Sequence, residues 1–71
     1  MDAKKIGDYL AQLRKQKRMS QADLALELGI TPQAVSKWER GKSMPVFAQL
    51  LRVCALLDTS PDTLFRIANE P

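Results

Sequence analysis

Short apolar patterns at helical spacing, each followed by a residue type that ends helices, constrain the fold of this chain more than any other feature. Apolar side chains that recur at i, i+3, i+4 and i+7 fall on one face of an α-helix. The first such pattern predicts a helix from about Lys4 to Lys17 and consists of Ile6, Tyr9, Leu10 and Leu13.

Two shorter helices are predicted on either side of a tight turn. Ser20 is a favourable N-cap for the second helix, and Gly29 is the residue type that ends a helix in the left-handed conformation. Thr31 and Pro32 then provide a new cap and the proline preferred at the first helical position. The third helix is expected to run to Arg40, because a glycine follows it.

Two more helices are expected in the C-terminal part of the chain. Pro45 is predicted to start the fourth helix, with an inner face formed by Phe47, Leu50, Leu51, Cys54 and Leu57. Residues 58–61 indicate a break and a new cap, and a short fifth helix contains Leu64, Phe65 and Ile67. No alternating strand pattern is visible. The sequence therefore predicts an all-α, compact five-helix domain over residues 1–71, with its core at about residues 4–67.

The composition excludes several classes of function. A chain of 71 residues has room for one small domain. The absence of His excludes imidazole catalysis and His-ligated metals, and the lone Cys54 can form neither an internal disulfide nor a Cys-based zinc site. No apolar run approaches the roughly 18 residues of a membrane span. We therefore expect a cytoplasmic, non-enzymatic module that uses no metal or cofactor and does not enter a membrane.

The basic residues are concentrated at one end of the chain. Lys and Arg exceed Asp and Glu by 11 to 8, which gives a net charge of +3. Residues 1–20 carry a net charge of +4, residues 21–44 are neutral, and residues 45–71 carry −1. This uneven charge is expected if one face of the protein meets a polyanion.

The second and third helices, joined by a tight glycine-containing turn, are typical of a helix-turn-helix. A helix is about 10–12 Å across with its side chains, and the major groove of DNA is about 12 Å wide. Such a helix needs an inner face that anchors it and an outer face that can form hydrogen bonds. Val35 and Trp38 have the spacing of the inner face, which favours core packing of Trp38 over base stacking. The outer residues are Gln33, Ser36, Lys37 and Arg40.

Three segments of the chain form a specific pattern: SQADLA at 20–25, LGIT at 28–31 and QAVSKWERGKS at 33–43. Together they closely resemble the Cro/CI-type (XRE) helix-turn-helix family. The resemblance covers roughly residues 6–66 and continues through Pro45, Leu50, Leu51, Leu57, Ser60 and Leu64. It implies a lambda-repressor-like fold with the helix-turn-helix at helices 2–3. It also implies a sequence-specific DNA-binding transcriptional regulator that inserts its third helix, at about 32–40, into the major groove.

The resemblance implies base contacts from residues on the outer side of the third helix. Gln can bond bidentately to adenine N6 and N7, and Lys can reach guanine O6 and N7. We therefore expect Gln33 and Lys37 to set the sequence preference. Pro32 can offer only a van der Waals contact, and Thr31 has the alternative role of a helix cap. The implied base-reading residues are Thr31, Pro32, Gln33, Ser36 and Lys37.

A second group of residues is implied to contact the sugar-phosphate backbone. Gln21 opens the second helix, where the family typically uses a Gln to hold a phosphate and brace the third helix. Arg40, Lys42 and Ser43 follow the third helix, and contacts of this kind position the protein without reading sequence.

The family also pairs an Arg near the end of helix 1 with a Glu at the end of helix 3. Arg14 and Glu39 stand at the matching places. We expect a structural ion pair that holds the third helix on the first, since an unpaired, partly buried Glu beside phosphates would be doubly unfavourable. Cys54 is expected to be a small buried apolar residue.

Departures from the family pattern leave the protein partner open. Leu26 stands where a charged residue is common, and Asp58 and Thr59 replace the usual Gly or Asn and Val. The family implies a homodimer on a palindromic operator, with Val46 and Phe47 as candidates for a partner surface. The alternative is an antitoxin or co-regulator whose main partner is another protein. The initial Met and the full set of helices favour an intact small protein over the DNA-binding part of a longer regulator.

Overall fold

The computed structural model describes residues 2–71, so Met1 of the expected 1–71 domain lies outside the described residues. Within them the chain forms five helices and no β-strand, which confirms the expected all-α, five-helix fold. The helix-turn-helix consists of the second and third helices. The helices are α1 (Ala3–Gln16), α2 (Gln21–Leu28), α3 (Pro32–Glu39), α4 (Phe47–Leu56) and α5 (Pro61–Ala68).

Side-chain caps fix the starts of the short helices. The Ser20 hydroxyl accepts from the Asp23 N–H at 2.9 Å, and the Asp23 carboxylate accepts from the Ser20 N–H at 2.8 Å. The hydroxyls of Thr31 and Ser60 accept from the Ala34 and Thr63 N–H groups at the starts of α3 and α5, and each cap is followed by a proline. A cap of this kind contributes about 1 kcal/mol. The expected starts of α2, α3 and α5 are confirmed.

The start of α4 differs from the sequence expectation. Pro45 was expected to open this helix, but α4 begins at Phe47, with Val46 as an extended N-cap that makes no side-chain cap hydrogen bond. Pro45 is buried in the connector before the helix. Its ring therefore contributes to packing and not to the first helical turn.

The inner face of α4 also needs correction. Phe47 is 69% exposed and Leu51 is 45% exposed, although both were expected inside. Phe47 lies in the first turn, beyond the edge of the core, and Leu51 lies beside the core-facing stripe. Val53, which is fully buried, belongs to that stripe. The residues that face the core at helical spacing are Leu50, Val53, Cys54 and Leu57.

All five helices contribute to one apolar core. Trp38 is 7% exposed and packs in this core, as its spacing predicts. Cys54 is 3% exposed, and burial raises the pKa of its thiol, which keeps it neutral. The other buried apolar residues are Ile6, Leu10, Leu24, Ala25, Leu28, Val35, Val53, Leu57, Leu64 and Ala68.

The turn between α4 and α5 is tied to α1 by Asp58 and Thr59, two of the three residues that depart from the family pattern. Asp58 adopts a left-handed conformation, with φ of 57°, which an Asp tolerates better than most side chains. Its carboxylate pairs with Lys17 Nζ at 2.6 Å. The Thr59 and Tyr9 hydroxyls lie 3.2 Å apart. Lys17, at the end of α1, is therefore engaged in an ion pair within the protein.

Candidate nucleic-acid interface

The outer side of α3 consists of exposed polar side chains. Gln33 and Lys37 are four residues apart, so they lie next to each other on one face of the helix, and both are exposed. Within residues 2–71, neither side chain makes a hydrogen bond or ion pair with another residue. Pro32 is also exposed, and Ser36 is half-buried at the side of this face. The structure therefore exposes Pro32, Gln33 and Lys37 on α3, with Ser36 half-buried beside them.

Thr31 has an internal role at the start of this helix. Its hydroxyl accepts from the Ala34 N–H at 3.2 Å, which is the capping contact that the sequence left open as an alternative. The residue is nevertheless exposed. A capping hydroxyl keeps further hydrogen-bonding capacity, so the cap and an outside contact are compatible.

The end of α3 turns the chain sharply away from the helix. The Gly41 N–H donates to the Trp38 carbonyl at 3.0 Å, and the Lys42 N–H donates to the Lys37 carbonyl at 2.9 Å. Gly41 has a φ of 72°, as this type of helix ending requires. Arg40, Lys42 and Ser43 emerge from the turn exposed, at the C-terminal end of the outer face.

A buried polar network lies beneath α3. The Arg14 guanidinium donates to both oxygens of Glu39, from Nε to Oε2 at 2.7 Å and from Nη2 to Oε1 at 3.0 Å. Its third contact, from Nη1, goes to the Met19 carbonyl at 2.7 Å. The Gln21 amide donates to Glu39 Oε1 at 2.9 Å. This network connects α1, the start of α2 and the end of α3.

The network keeps both charges in their ionised forms. Burial alone would raise the pKa of Glu39. The hydrogen bonds from Arg14 and Gln21, together with the positive charges of Arg14 and Lys15, outweigh burial and lower the pKa below its usual value. The hydrogen bond with Glu39 raises the pKa of Arg14. The side chains of Arg14 and Glu39 are each 8% exposed, and their bidentate geometry is the strong form of this interaction.

Gln21 occupies a different position from the other residues implied to contact phosphate. It is half-buried, and its amide nitrogen is engaged with Glu39. The amide nitrogen carries two N–H groups and Glu39 accepts from one of them, so the second remains available to donate to an anion. The main-chain N–H groups at the start of α2 also suit an anion. The side chain of Gln21 is therefore able to brace Glu39 and contact a phosphate at the same time.

Sequence reasoning missed Gly7, which lets α1 approach the end of α3. A Cβ atom at this position would lie 2.3 Å from the Trp38 carbonyl oxygen and 2.7 Å from the Glu39 carbonyl oxygen. No side chain larger than hydrogen fits at that distance. The available signal was the glycine itself, since a glycine inside a helical pattern often marks a close backbone approach.

Two other kinds of site, a metal centre and a membrane span, have no candidate within the described residues. Across residues 2–71, no group of three or more Cys, Asp or Glu side chains is placed to hold a metal ion. None of the helices over the same residues is long and apolar enough to cross a bilayer.

The family model described as helix-turn-helix matches residues 10–69, which contain α2, α3 and most of the core. The chain belongs to the Cro/CI-type helix-turn-helix family. It is 37% identical over 59 residues to the uncharacterised HTH-type transcriptional regulator YqaE of Bacillus subtilis, covering 83% of this chain and 51% of YqaE. It is 32% identical over 66 residues to repressor protein C2 of Salmonella phage P22, covering 93% of this chain and 31% of C2. The chain thus spans about half or less of the length of these relatives.

Two solved structures share the lambda-repressor-like arrangement. The P22 c2 repressor in complex with a synthetic operator matches with a TM-score of 0.79 and 34% identity, over 83% of this chain and 89% of that one. The restriction-modification controller protein C.AhdI of Aeromonas hydrophila matches with the same TM-score and identity, over 90% and 93% of the two chains. The fold class expected from the sequence is therefore confirmed.

Proposed function

We propose that this helix-turn-helix chain is a sequence-specific transcriptional regulator, in the role of a repressor, that places α3 in the major groove of its operator. The observation that carries the proposal is the two-sided construction of α3. Its inner side is fixed by Val35, Trp38 and the Glu39 network. Its outer side presents Gln33 and Lys37, whose side chains have no partner within residues 2–71. A helix is about 10–12 Å across with its side chains, which suits a groove of about 12 Å in width.

Base reading is assigned to the outer face. Gln33 offers both a donor and an acceptor, which matches adenine N6 and N7, and Lys37 offers a donor to guanine O6 or N7. Ser36 and Thr31 add hydroxyls at the sides, and Pro32 adds an apolar contact, suited to a thymine methyl group.

Phosphate contacts are assigned to both ends of the helix-turn-helix. Arg40, Lys42 and Ser43 supply charge and hydroxyl donors after α3. Gln21 supplies the second N–H of its side-chain amide and the first main-chain N–H of α2. Arg14 and Glu39 form the structural ion pair behind them. The phosphate contacts would make binding fall steeply with salt concentration.

The active species on DNA is proposed to be a homodimer in the cytoplasm, on a palindromic operator. Two recognition helices then lie about 34 Å apart, one turn of DNA. The domain measures 33 × 22 × 22 Å, so two copies side by side have a suitable span. Val46, Phe47 and Phe65 are 70%, 69% and 62% exposed, and large apolar side chains exposed to this extent favour a partner surface.

Selection from a random duplex pool tests the proposal. The parent is expected to enrich a motif of two half-sites, and the double variant Gln33→Ala/Lys37→Ala is expected to lose it. A matched control, Gln12→Ala/Lys15→Ala, removes the same residue types and the same charge from the exposed side of α1 and is expected to keep the motif. Equal enrichment by the parent and the Gln33/Lys37 variant would refute base reading by α3.

One observation favours the second candidate function, a module that binds mainly another protein. Leu26 is 81% exposed on α2, between the acidic residues Asp23 and Glu27. If a protein is the main partner, Leu26→Gln weakens that complex and Arg40→Ala/Lys42→Ala leaves it intact. If DNA is the main partner, Arg40→Ala/Lys42→Ala weakens the complex with DNA and Leu26→Gln leaves it intact.

A further inference from the structure

The end of α2 leaves carbonyl groups that its own main chain does not satisfy. The last four carbonyls of a helix have no partner within it. The N–H groups of Gly29 and Ile30 turn back to the carbonyls of Leu26 and Ala25, at 3.3 and 3.0 Å. The Leu28 carbonyl would be paired with residue 32 in a continued helix, but residue 32 is a proline and has no N–H.

Arg52, on α4, supplies the missing donors. Its Nη1 donates to the Leu28 carbonyl at 3.1 Å, and its Nη2 donates to the Glu27 carbonyl at 2.9 Å. Gln49, one turn earlier on α4, directs its Nε2 at the same Leu28 carbonyl at 3.4 Å. A planar guanidinium can hold two neighbouring carbonyls at once, which a lysine ammonium does less well.

The charge of Arg52 also suits this place. The C-terminal end of a helix carries partial negative charge, which a nearby cation stabilises. α2 has no basic residue in its own last turn. Arg52 therefore provides, from another helix, the cation that α2 lacks.

The contact lies next to the turn that sets the direction of α3. Residues 29–31 follow the clamped carbonyls directly, and α3 starts at Pro32. A shift of the last turn of α2 therefore moves the start of α3, where Gln33 is exposed. Neither Arg52 nor Gln49 belongs to the residues that the family resemblance implies in DNA contact.

We propose that Arg52 is a positioning residue for DNA reading, which holds the Glu27 and Leu28 carbonyls and so fixes the angle at which α3 presents Gln33 and Lys37. The inference rests on the proposed function. Loss of the clamp leaves the core intact and lets the turn and the start of α3 vary in orientation. Base contacts depend on this orientation, whereas nonspecific attraction to phosphates does not.

The test compares three variants on operator and scrambled duplexes at one salt concentration, well below the melting temperature of each variant. Arg52→Met keeps the aliphatic stem and removes both donors, and Arg52→Lys keeps the charge but cannot span both carbonyls equally. The control, Arg66→Met, removes the same charge from an exposed position of α5 whose side chain makes no hydrogen bond within residues 2–71.

Arg52→Met is expected to lower the ratio of operator to scrambled affinity by about tenfold, which corresponds to the misalignment of one base contact. Arg52→Lys is expected to lower it less, and Arg66→Met is expected to leave it unchanged. If Arg52→Met and Arg66→Met have the same ratio of operator to scrambled affinity, the proposal is overturned, even if their melting temperatures differ.

A measurement on the free protein separates this inference from the proposed function. Amide spectra and hydrogen exchange of Arg52→Lys are expected to show shifted, faster-exchanging amides at Gly29, Ile30 and Thr31. Unchanged amides at these residues would overturn the clamp. A parent protein that prefers no duplex would refute the proposed function, while the amide data would still report on the clamp. If Arg52→Met does not fold, Arg52→Lys alone tests the proposal. Its amide spectra and its ratio of operator to scrambled affinity are then compared with those of the parent.

Discussion

The two sides of α3 carry opposite chemistry within eight residues. On the inner side, Val35 and Trp38 are buried, and both oxygens of Glu39 accept hydrogen bonds. On the outer side, Gln33 and Lys37 are exposed, and their side chains bond to nothing else in residues 2–71. A binding face is best carried by an element whose other face is locked by packing and hydrogen bonds. The comparison teaches that stability and recognition rest on different residues of one helix, so mutations can separate them.

The largest effect is expected on the inner side, from Glu39→Met. This change leaves the Arg14 guanidinium buried and without its carboxylate, and breaking a buried pair in this way costs about 3–5 kcal/mol. Thermal melts of the parent, Glu39→Met, Arg14→Met and the double variant measure it. The double variant is expected to lose much less than the sum of the single losses. Additive losses would mean that the two side chains act independently.

A smaller loss of stability, about 1–3 kcal/mol, is expected from Gly7→Ala, because the new methyl group overlaps the main chain at the end of α3. The sign of the change in stability distinguishes close packing from an open helix. In an open helix the same change stabilises by roughly 0.5–1 kcal/mol. A melting temperature at or above that of the parent would therefore contradict the close packing of α1 against α3.

Gly7 marks the limit of what the sequence predicts here. The helices and their caps follow from local chemistry, since Ser20, Thr31 and Ser60 each act on residues three positions away. The exposed face of α3 follows from periodicity for the same reason. The distance between α1 and the end of α3 is set by packing between helices that are far apart in sequence, and local patterns do not contain it.

The errors in α4 have the same origin. Pro45 and Phe47 fit a helix start and an apolar stripe equally well by local pattern, but the extent of the core decides which is buried. Arg52 gave no sequence signal either, because its partners are main-chain carbonyls on another helix. The pairing of Arg14 with Glu39 was reached through the family resemblance and not through spacing.

On the outer side, changes are expected to affect DNA binding while leaving stability within about 0.5 kcal/mol. Gln33→Ala is expected to cost about 1–3 kcal/mol in operator affinity and to relax the preference at one base position. Lys42→Ala is expected to weaken binding to all duplexes alike and to reduce the salt slope by about 1. Affinity measured at several salt concentrations, on operator and scrambled duplexes, distinguishes the two patterns. A uniform loss for Gln33→Ala would place it on the backbone and not on a base.

The smallest expected effect is a change in how the free energy of unfolding depends on pH in the acid range, measured against Glu39→Gln, a variant of similar shape. Because the pKa of Glu39 is lower in the folded protein, its contribution to stability is present above its unfolded value of about 4.3. That contribution is lost as the pH falls through the folded pKa. The stability difference between the parent and Glu39→Gln is therefore expected to stay constant from pH 7 to about pH 5 and to narrow below that.

Asp23→Asn is the matched control for this pH measurement. The hydrogen bonds to Ser20 lower the pKa of Asp23 as well, so its contribution is lost over the acid range in the same direction. Asp23 is exposed, however, and salt screens exposed charges much more than buried pairs. Added salt is therefore expected to reduce the pH-dependent contribution of Asp23 and to leave that of Glu39 largely intact. Equal loss of both contributions in salt would mean that water reaches the Arg14–Glu39 pair, and the inner side of α3 would then be no better protected than the outer side.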